Sequence, residues 1–461
     1  MYSVDEPAPF SSWVEAGSLV RLAGPAALAF TLAHSAGLVE IAILGHLHAD
    51  PTFNVTASAN SSTAFLSSAA LAGTWMDITD VWIYAGLAAA VQILSARSAA
   101  LQPNDAAPAG SGDGDGEGDA GAAPAHTRAR GARTLLAAGV LAVLLGCLVV
   151  APGWWFAGDI LGFFLNAGQL QGCGATCMAL ATSYARIALA WLPAFAATKA
   201  IANFLRGQDH VTPGPVANTV FLCLGGLLVY FLVLGLHSGH GCGFPPAPPH
   251  GGGRAAGNSS TRPRPGPPLI GNWMCLGFRG GPVGTGIVRW IVLLWMLVSL
   301  RRHGWCCGRD GKKPARSGNG NNAVGNTRGA PLPPSPPPSP PPQERGMRYI
   351  LGQLCAAATP LALGGIVEEL QISVIAMFAA HLGMAQLGAH YGAMRVLLVL
   401  QAVNYGLVQA TAVRIGGHLL DRNVPSAKHV MRICLVLSAV WGSVVGGVFY
   451  LARRYVGFIF R

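Results

Sequence analysis

The sequence predicts an all-α integral membrane protein that crosses the bilayer eight or nine times. Of its 461 residues, 52% are hydrophobic and only 11% are charged, whereas soluble domains are about a quarter charged. The hydrophobic residues come in runs long enough to span a membrane, which takes roughly 20 mostly apolar residues. One water-soluble core cannot bury so many runs of this length. The runs are therefore expected to be membrane helices.

Nine apolar segments carry the predicted helices. They fall at residues 18–47, 63–96, 134–157, 178–204, 214–236, 283–300, 347–381, 388–416 and 430–458. The early segments exceed one bilayer thickness and are expected to tilt or to extend beyond it. Segment 283–300 is short, and segment 430–458 ends in Arg453 and Arg454 close to the last residue. The count is therefore eight or nine.

Polar stretches divide the chain into a first lobe of six helices and a second lobe of about three. The predicted parts are a cytosolic N-terminal tail (1–17), the first lobe (18–300) with low-complexity inserts at 99–133 and 237–282, a basic and Pro-rich cytosolic linker (301–346), and a partial second lobe (347–461). The linker ends in SPPPSPPP, a composition typical of extended spacers. A partner module that recognises proline is the alternative interpretation of this tract.

The positions of Lys and Arg predict a cytosolic N-terminus. With that orientation, the short loops between helices 1 and 2, 3 and 4, and 7 and 8 are external, and none of them contains Lys or Arg. This is the bias that sets membrane orientation, so the net charge of +11 does not indicate nucleic-acid binding. Three glycosylation sequons fall on the predicted outer side, at Asn54, Asn60 and Asn258. They favour the secretory route, and hence the plasma or vacuolar membrane.

The first and seventh helices share an internal repeat. Pro25 precedes His46-Leu47 by the same spacing as Pro360 precedes His381-Leu382. The helices that follow each contain a tyrosine and a Gly-Leu pair, Gly86-Leu87 and Gly406-Leu407. The repeats start six helices apart and therefore run parallel, which predicts two lobes with a binding cavity between them.

At these residues the sequence resembles the multidrug and toxic compound extrusion (MATE) family of cation-coupled exporters. The helix 1 pattern of that family is a Pro, an acidic residue and then Gly-His-Leu, matched here by Pro25, Glu40 and Gly45-His46-Leu47. Helix 7 has Pro360 followed by Glu368, where eukaryotic members typically carry a functional glutamate.

Two further stretches carry the same resemblance. Arg206-Gly207-Gln208 closes one helix before Pro213 and Pro215 open the next, and ATAVRIGG on helix 8 supplies Arg414 and Gly416 of the family's A-x-x-x-R-V-G pattern. The resemblance implies twelve helices, six in each lobe, whereas the second half of this sequence contains three. Helix 2 also departs from the family, because it ends in Gln92-Ile-Leu-Ser-Ala instead of a D-T-L-x-G-Q pattern.

Acidic residues inside the apolar segments are the candidate coupling groups. A charge at mid-bilayer depth is costly and marks a functional site, and few Lys or Arg residues lie at similar depth to neutralise these acids. A desolvated carboxylate favours its neutral form and can carry a proton across. Glu368 ranks first because desolvation and the family position agree on it, and Glu40 and Glu369 follow. The adjacent glutamates point about 100° apart, so only one of them is expected to face the cavity.

Polar stripes on the same helices are the candidate substrate-binding groups. Their members are Asp77, Asp80 and Tyr84 on helix 2, Gln371 on helix 7, and Gln401 and Asn404 on helix 8. Acids beside aromatic rings suit organic cations, although members of the resembled family also carry anions and neutral compounds. Polar residues that merely hold helices together are the alternative interpretation. No cysteine pair has the partners of a zinc site, so no metal or other cofactor is predicted.

Two functions from different classes remain. The first is a secondary antiporter that exports organic solutes or xenobiotics in exchange for protons, or for Na⁺, by alternating access. The second is a non-transporting, truncated or degenerate paralogue that acts as a membrane scaffold or regulator. The short second lobe favours the second function, and the intramembrane acids oppose it. No nucleophile–base pair, phosphate-binding loop or dinucleotide motif stands out, so an enzyme is disfavoured.

Overall fold

A computed structural model describes most of the apolar part of the chain. The described residues are 12–47, 61–100, 123–164, 174–208, 210, 212–235, 276–302, 347–420, 423–453 and 455. The predicted proline-rich linker, the three glycosylation sequons and most of both low-complexity inserts lie outside these ranges.

Every regular element in the described ranges is helical. The first lobe contains α1 (Ser12–Gly45), α2 (Ser61–Val81), a π-helical segment (Trp82–Ala88), α3 (Ala89–Ala100), α4 (Ala123–Trp155), α5 (Ala157–Phe164), α6 (Gly174–Ala188), α7 (Leu192–Gly207), α8 (Pro213–Leu234) and α9 (Gly280–Arg302). The second lobe contains α10 (Met347–Leu382), α11 (Met384–Leu420) and α12 (Val424–Ala452). The fold class predicted from the sequence, an all-helical bundle of two lobes, is confirmed.

Eight helices in the described ranges are long and apolar enough to cross a membrane, or nine if the bent pair α6 and α7 is one span. The predicted count is confirmed. The two parts of the bent pair meet at 54°. Pro193 follows the break, and because it has no N–H it leaves the carbonyl of Leu189 without its helical donor. The indole of Trp290 on α9 donates to the neighbouring carbonyl of Ala190 at 3.1 Å.

Several helices begin or end away from the expected boundaries. α1 begins at Ser12 instead of residue 18, and α4 begins at Ala123, inside the stretch expected to be an insert. α12 covers Val424–Ala452, six residues earlier at each end than the segment 430–458. Apolar runs mark only the part of a helix that meets hydrocarbon, so polar turns that continue the helix beyond it were missed. The early start of α1 includes Glu15, which is buried.

The two lobes meet at two closely similar helix crossings. In one crossing, a Cβ on Gly406 of α11 would lie 2.7 Å from the carbonyl oxygen of Ala23 and 2.8 Å from the Cβ of Ala27, both on α1. In the other, a Cβ on Gly86 would lie 3.3 Å from the carbonyl oxygen of Ala358 and 2.8 Å from the Cβ of Ala362, both on α10. Backbones this close tolerate no side chain larger than hydrogen.

The same repeat that was read from the sequence relates these crossings. Aligning Pro25 with Pro360 places Ala23 on Ala358 and Ala27 on Ala362. The two Gly-Leu pairs supply the facing glycines. The lobes are therefore joined by two copies of one small-residue contact, as expected of a pseudo-symmetric, two-lobed bundle.

Replacing Gly406 by alanine is expected to destabilise the bundle. The new methyl group would overlap the backbone of α1, and overpacking of this kind costs about 1–3 kcal/mol. The thermal melting temperature of the purified protein in detergent should fall. Gly446→Ala is the matched control, because Gly446 lies on α12 with nothing within 4 Å of a new Cβ and alanine favours helix. Equal melting of the two variants would contradict a close crossing at Gly406.

Candidate functional site

A cavity of about 270 Å³ lies between the two lobes. First-lobe side chains on its wall come from α1, α2, the π-helical segment and α6 to α9, and second-lobe side chains come from α10 and α11. Of the predicted site residues, Glu40, Asp77, Asp80, Tyr84 and Glu369 line this cavity. The structure therefore brings four intramembrane carboxyl groups from three different helices to one space.

Glu40 is held within the first lobe by two hydroxyl groups. The hydroxyl of Tyr184 on α6 donates to its Oε1 at 2.7 Å, and that of Thr285 on α9 donates to its Oε2 at 2.8 Å. Hydrogen bonds to a carboxylate are stronger than those between neutral groups. Both carboxyl oxygens are thus fixed, and the side chain ties α1 to α6 and α9.

All three predicted polar residues of the second membrane span, Asp77, Asp80 and Tyr84, face the cavity. Asp77 accepts from Nη2 of Arg395 on α11 at 3.1 Å, which forms an ion pair between the lobes. Asp80, one turn further on, is 6% exposed, and its Oδ1 has no hydrogen-bond partner among the described residues. Tyr84 lies in the π-helical segment Trp82–Ala88, a widened turn of the kind often found at functional sites.

Tyrosines from different lobes hold the two adjacent glutamates of α10. Tyr84 of the first lobe donates to Oε1 of Glu369 at 2.9 Å. Tyr405 of the second lobe donates to Oε1 of Glu368 at 3.1 Å. Glu369 is half-buried and lines the cavity, whereas Glu368 is exposed and does not line it. The expectation that only one of the pair faces the cavity fits this geometry, but the structure puts Glu369 there and not the first-ranked Glu368.

Three predicted substrate-binding residues do not line the cavity. Gln371 is exposed on the same face of α10 as Glu368, as their three-residue spacing requires. Gln401 and Asn404 are half-buried on α11, which turns Tyr391, Arg395 and Tyr405 to the cavity instead. The Oδ1 of Asn404 is buried and accepts no hydrogen bond from any described residue.

The Arg206-Gly207-Gln208 stretch joins the end of α7 to α3. A Cβ on Gly207 would lie 2.6 Å from the carbonyl oxygen of Gln92, so the two backbones touch there. Gln208 donates to the carbonyl and the hydroxyl of Ser95 at 3.0 and 2.9 Å, and Ser95 donates to the carbonyl of Phe204 at 2.9 Å. Arg206 donates to Asn203 at 2.9 Å. The geometry of this stretch is that of a helix joint.

The remaining motif residues also lie away from the cavity. Arg414 makes a two-pronged ion pair with Glu15, at 2.7 Å from Nε and 2.6 Å from Nη2, and so fastens the end of α11 to the start of α1. Gly416 has open space around its Cα. Pro25 and Pro360 lie inside the unbroken helices α1 and α10.

Three cations on the cavity wall correct the statement that few basic residues lie near the acids. Lys199 on α7, Arg289 on α9 and Arg395 on α11 all line the cavity. Each lies inside an apolar helix, so the argument used for the acids would also have identified them. Tyr184 and Thr285, the hydroxyl partners of Glu40, could not be identified from the sequence, because tyrosine and threonine are common in membrane helices.

Arg395 is the best connected of the three cations. Besides its ion pair with Asp77, it donates to the hydroxyl of Tyr391 and lies over that ring, with Cζ 4.7 Å from its centroid. The hydroxyl of Tyr391 in turn lies within 2.0 Å of where a Cβ of Gly73 would be. The α2–α11 contact therefore needs a glycine at position 73.

Comparison with known proteins identifies the fold and a domain. The MatE family profile matches residues 123–231. The chain aligns with the eukaryotic MATE transporter AtDTX14 at a TM-score of 0.62 and 15% identity, over 97% of this chain and 75% of that one. A transporter of the MOP superfamily from Pyrococcus furiosus aligns at a TM-score of 0.53 and 15% identity, over 97% of this chain and 74% of that one. A multidrug resistance MATE family transporter in its inward-facing conformation aligns at a TM-score of 0.53 and 15% identity, over 96% of this chain and 75% of that one. No curated protein sequence matches the chain significantly.

Removing either partner of the Asp77–Arg395 pair is expected to destabilise the protein more than removing both. A single change leaves one charge on the cavity wall without its partner. In a double-mutant cycle of Asp77→Asn and Arg395→Met, thermal melting should reveal a coupling of roughly 0.5–3 kcal/mol. Asp159 is an exposed acid on α5, and the effects of Asp159→Asn and Arg395→Met on the melting temperature should add. If the effects of Asp77→Asn and Arg395→Met also add, the ion pair does not contribute to stability.

Proposed function

We propose that this chain, which contains a MatE domain and has the fold of MATE transporters, is a secondary active antiporter. It exports an organic solute across a membrane in exchange for protons by alternating access. The observation that carries the proposal is Glu369, an intramembrane carboxyl group on a cavity between two lobes that accepts a hydrogen bond from the opposite lobe.

Glu369 can couple proton binding to the contact between the lobes. When it is ionised, its carboxylate is a strong acceptor for the hydroxyl of Tyr84, which favours the arrangement in which α10 and the π-helical segment touch. Protonation weakens this hydrogen bond and so favours separation of the lobes. A ligand shifts such an equilibrium only through a difference in its affinity for the two states, and this hydrogen bond supplies such a difference for the proton.

Glu40 and Asp77 have supporting roles in this proposal. Glu40 is fixed inside the first lobe by Tyr184 and Thr285, so its protonation would act on that lobe alone. Asp77 loses its ion pair when the lobes separate, because Arg395 belongs to the second lobe. Glu368 remains a second coupling candidate through Tyr405, whose ring stacks on Phe30 of α1 at 5.1 Å.

We further propose that the N-terminus is cytosolic and that the chain occupies the plasma membrane or the vacuolar membrane. The distribution of Lys and Arg among the loops supports this orientation. Cys177 at the start of α6 gives separate support, since it is disulfide-bonded on the side assigned to the exterior. Disulfides persist in oxidising compartments and are rare in the cytosol.

The proton-coupling proposal is tested by efflux from proteoliposomes with the adjacent variants Glu369→Gln and Glu368→Gln. A panel of labelled organic cations and anions is loaded, and efflux is followed with and without an imposed pH gradient. Glu369→Gln is expected to lose the component that depends on the gradient, because glutamine cannot bind a proton. Glu368→Gln is the matched control and should retain it.

Three other outcomes would change the proposal. If only Glu368→Gln loses the gradient-dependent efflux, the proton-coupling group is Glu368 with its hydrogen-bond donor Tyr405. Efflux driven by a sodium gradient and not by protons would replace the coupling ion. No efflux of any compound from the unmodified chain would favour a non-transporting membrane protein.

The proposed orientation predicts glycosylation of the chain in eukaryotic cells. Peptide N-glycosidase should increase its electrophoretic mobility, and the triple variant Asn54→Gln, Asn60→Gln, Asn258→Gln should remove that shift. An epitope tag at the N-terminus should bind antibody only after the membrane is permeabilised. Antibody binding to sealed cells or vesicles of known sidedness would contradict the orientation.

A further inference from the structure

The first-lobe wall of the cavity carries two cations that form no ion pair within the described part of the chain. Lys199 on α7 and Arg289 on α9 line the cavity, and neither forms an ion pair or a hydrogen bond with any described residue. Nε of Arg289 is fully buried and unpaired. An uncompensated charge inside a membrane bundle is costly, and such residues mark binding sites. The site formed by Lys199, Arg289 and the rings described next is called the basic subsite.

Three aromatic rings surround these cations. Cζ of Arg289 lies 4.0 Å from the ring centroid of Phe221 and 4.7 Å from that of Phe195. Trp191 is 5.7 Å away, and Nζ of Lys199 lies 5.4 Å from the Phe195 ring. Phe195 and Lys199 lie one turn apart on one face of α7, and Trp191, the residue just before this helix, extends the same face by a further turn. Contact with ring faces offsets part of the desolvation cost but gives the N–H groups no acceptor.

The acids of the cavity form no ion pair with the basic subsite among the described residues. Glu40 accepts from Tyr184 and Thr285, Asp77 is paired with Arg395, and Glu369 accepts from Tyr84. Asp80 is the remaining acid, and it forms no ion pair with Lys199 or Arg289. The N–H donors of Lys199 and Arg289 therefore have no carboxylate acceptor among the described residues, although four carboxyl groups line the same cavity.

We propose that the basic subsite binds the anionic group of a small aromatic organic acid. The carboxylate or sulfonate accepts from Lys199 and Arg289, and the ring packs against Trp191 and Phe195. This inference rests on the proposed transport function and names the substrate class of its cavity. A volume of about 270 Å³ is just below the roughly 300 Å³ at which pockets for drug-sized ligands begin, so a compound with one ring fits. An aromatic anion satisfies the donors that the expected organic cation would leave unpaired.

Benzenesulfonate and benzyltrimethylammonium, an anion and a cation with the same ring, are the probes. Both stay ionised at every working pH, so a pH gradient does not drive them across lipid passively. Binding to the purified chain is measured by equilibrium dialysis and by the rise in melting temperature that a ligand of the folded state produces. Transport of each probe is measured separately in proteoliposomes. Benzenesulfonate is expected to bind and to be exported.

The variant Lys199→Gln, Arg289→Gln is expected to weaken benzenesulfonate binding by roughly ten-fold or more, as the loss of hydrogen bonds to a charged group implies. Lys199→Gln alone should show a smaller loss and guards against misfolding of the double variant. Without ligand, a cooperative melting transition of each variant shows that it folds, so that a loss of binding can be assigned to the missing cations. Lys428→Gln, an exposed lysine on α12, is the matched control and should bind as the unmodified chain does.

The outcomes separate this inference from the proposed function. Benzyltrimethylammonium bound and exported without any binding of benzenesulfonate would overturn the inference and leave the antiporter intact. Benzenesulfonate bound but not moved under any gradient would support the basic subsite and count against transport. Equal binding of benzenesulfonate by the folded variants and by Lys428→Gln would overturn the assignment to Lys199 and Arg289.

Discussion

A charge placed among apolar helices must find a partner, and this constraint organises the bundle. Water cannot stabilise a carboxylate or a guanidinium at that depth, so each must be matched by protein or by ligand. Glu40 is matched within the first lobe by two hydroxyls. The pairs Asp77–Arg395 and Glu369–Tyr84 are matched across the lobes. The cavity is the place where this matching remains incomplete.

The helices and the inward face of α2 were predictable from the sequence, whereas the inward faces of α10 and α11 and the partners of the charged groups were not. Apolar runs fixed the spans, and the spacing of Asp77, Asp80 and Tyr84 placed all three on one face. Helical periodicity could not decide whether Glu368 or Glu369 faces the cavity, because that depends on how α10 is rotated against the first lobe. The cations Lys199 and Arg289 were visible in the sequence, but only the fold brings their two helices together around one space.

The internal repeat proved informative at the level of single atoms. Gly86 and Gly406 each allow a helix backbone to approach the alanines of a helix in the other lobe. Interfaces built from small residues contain few interlocking side chains, so two such helices can change their crossing angle without first unpacking large groups. The polar pairs flank these crossings. The lobes are thus held by close backbone contacts at Gly86 and Gly406 together with the polar and aromatic pairs beside them.

The ion pair between Glu15 and Arg414 has a consequence for biogenesis. Its partners are 399 positions apart in the chain, so the first helix enters the membrane long before the ribosome makes the helix it packs against. Until then the carboxylate of Glu15, which ends up 5% exposed, has no counter-ion and the small-residue face of α1 has no neighbour. Contacts between distant parts of a chain form slowly and leave intermediates exposed. The packing of α1 is therefore completed only after α11 has been synthesised, so the last contacts of the first helix to enter the membrane are among the last to form.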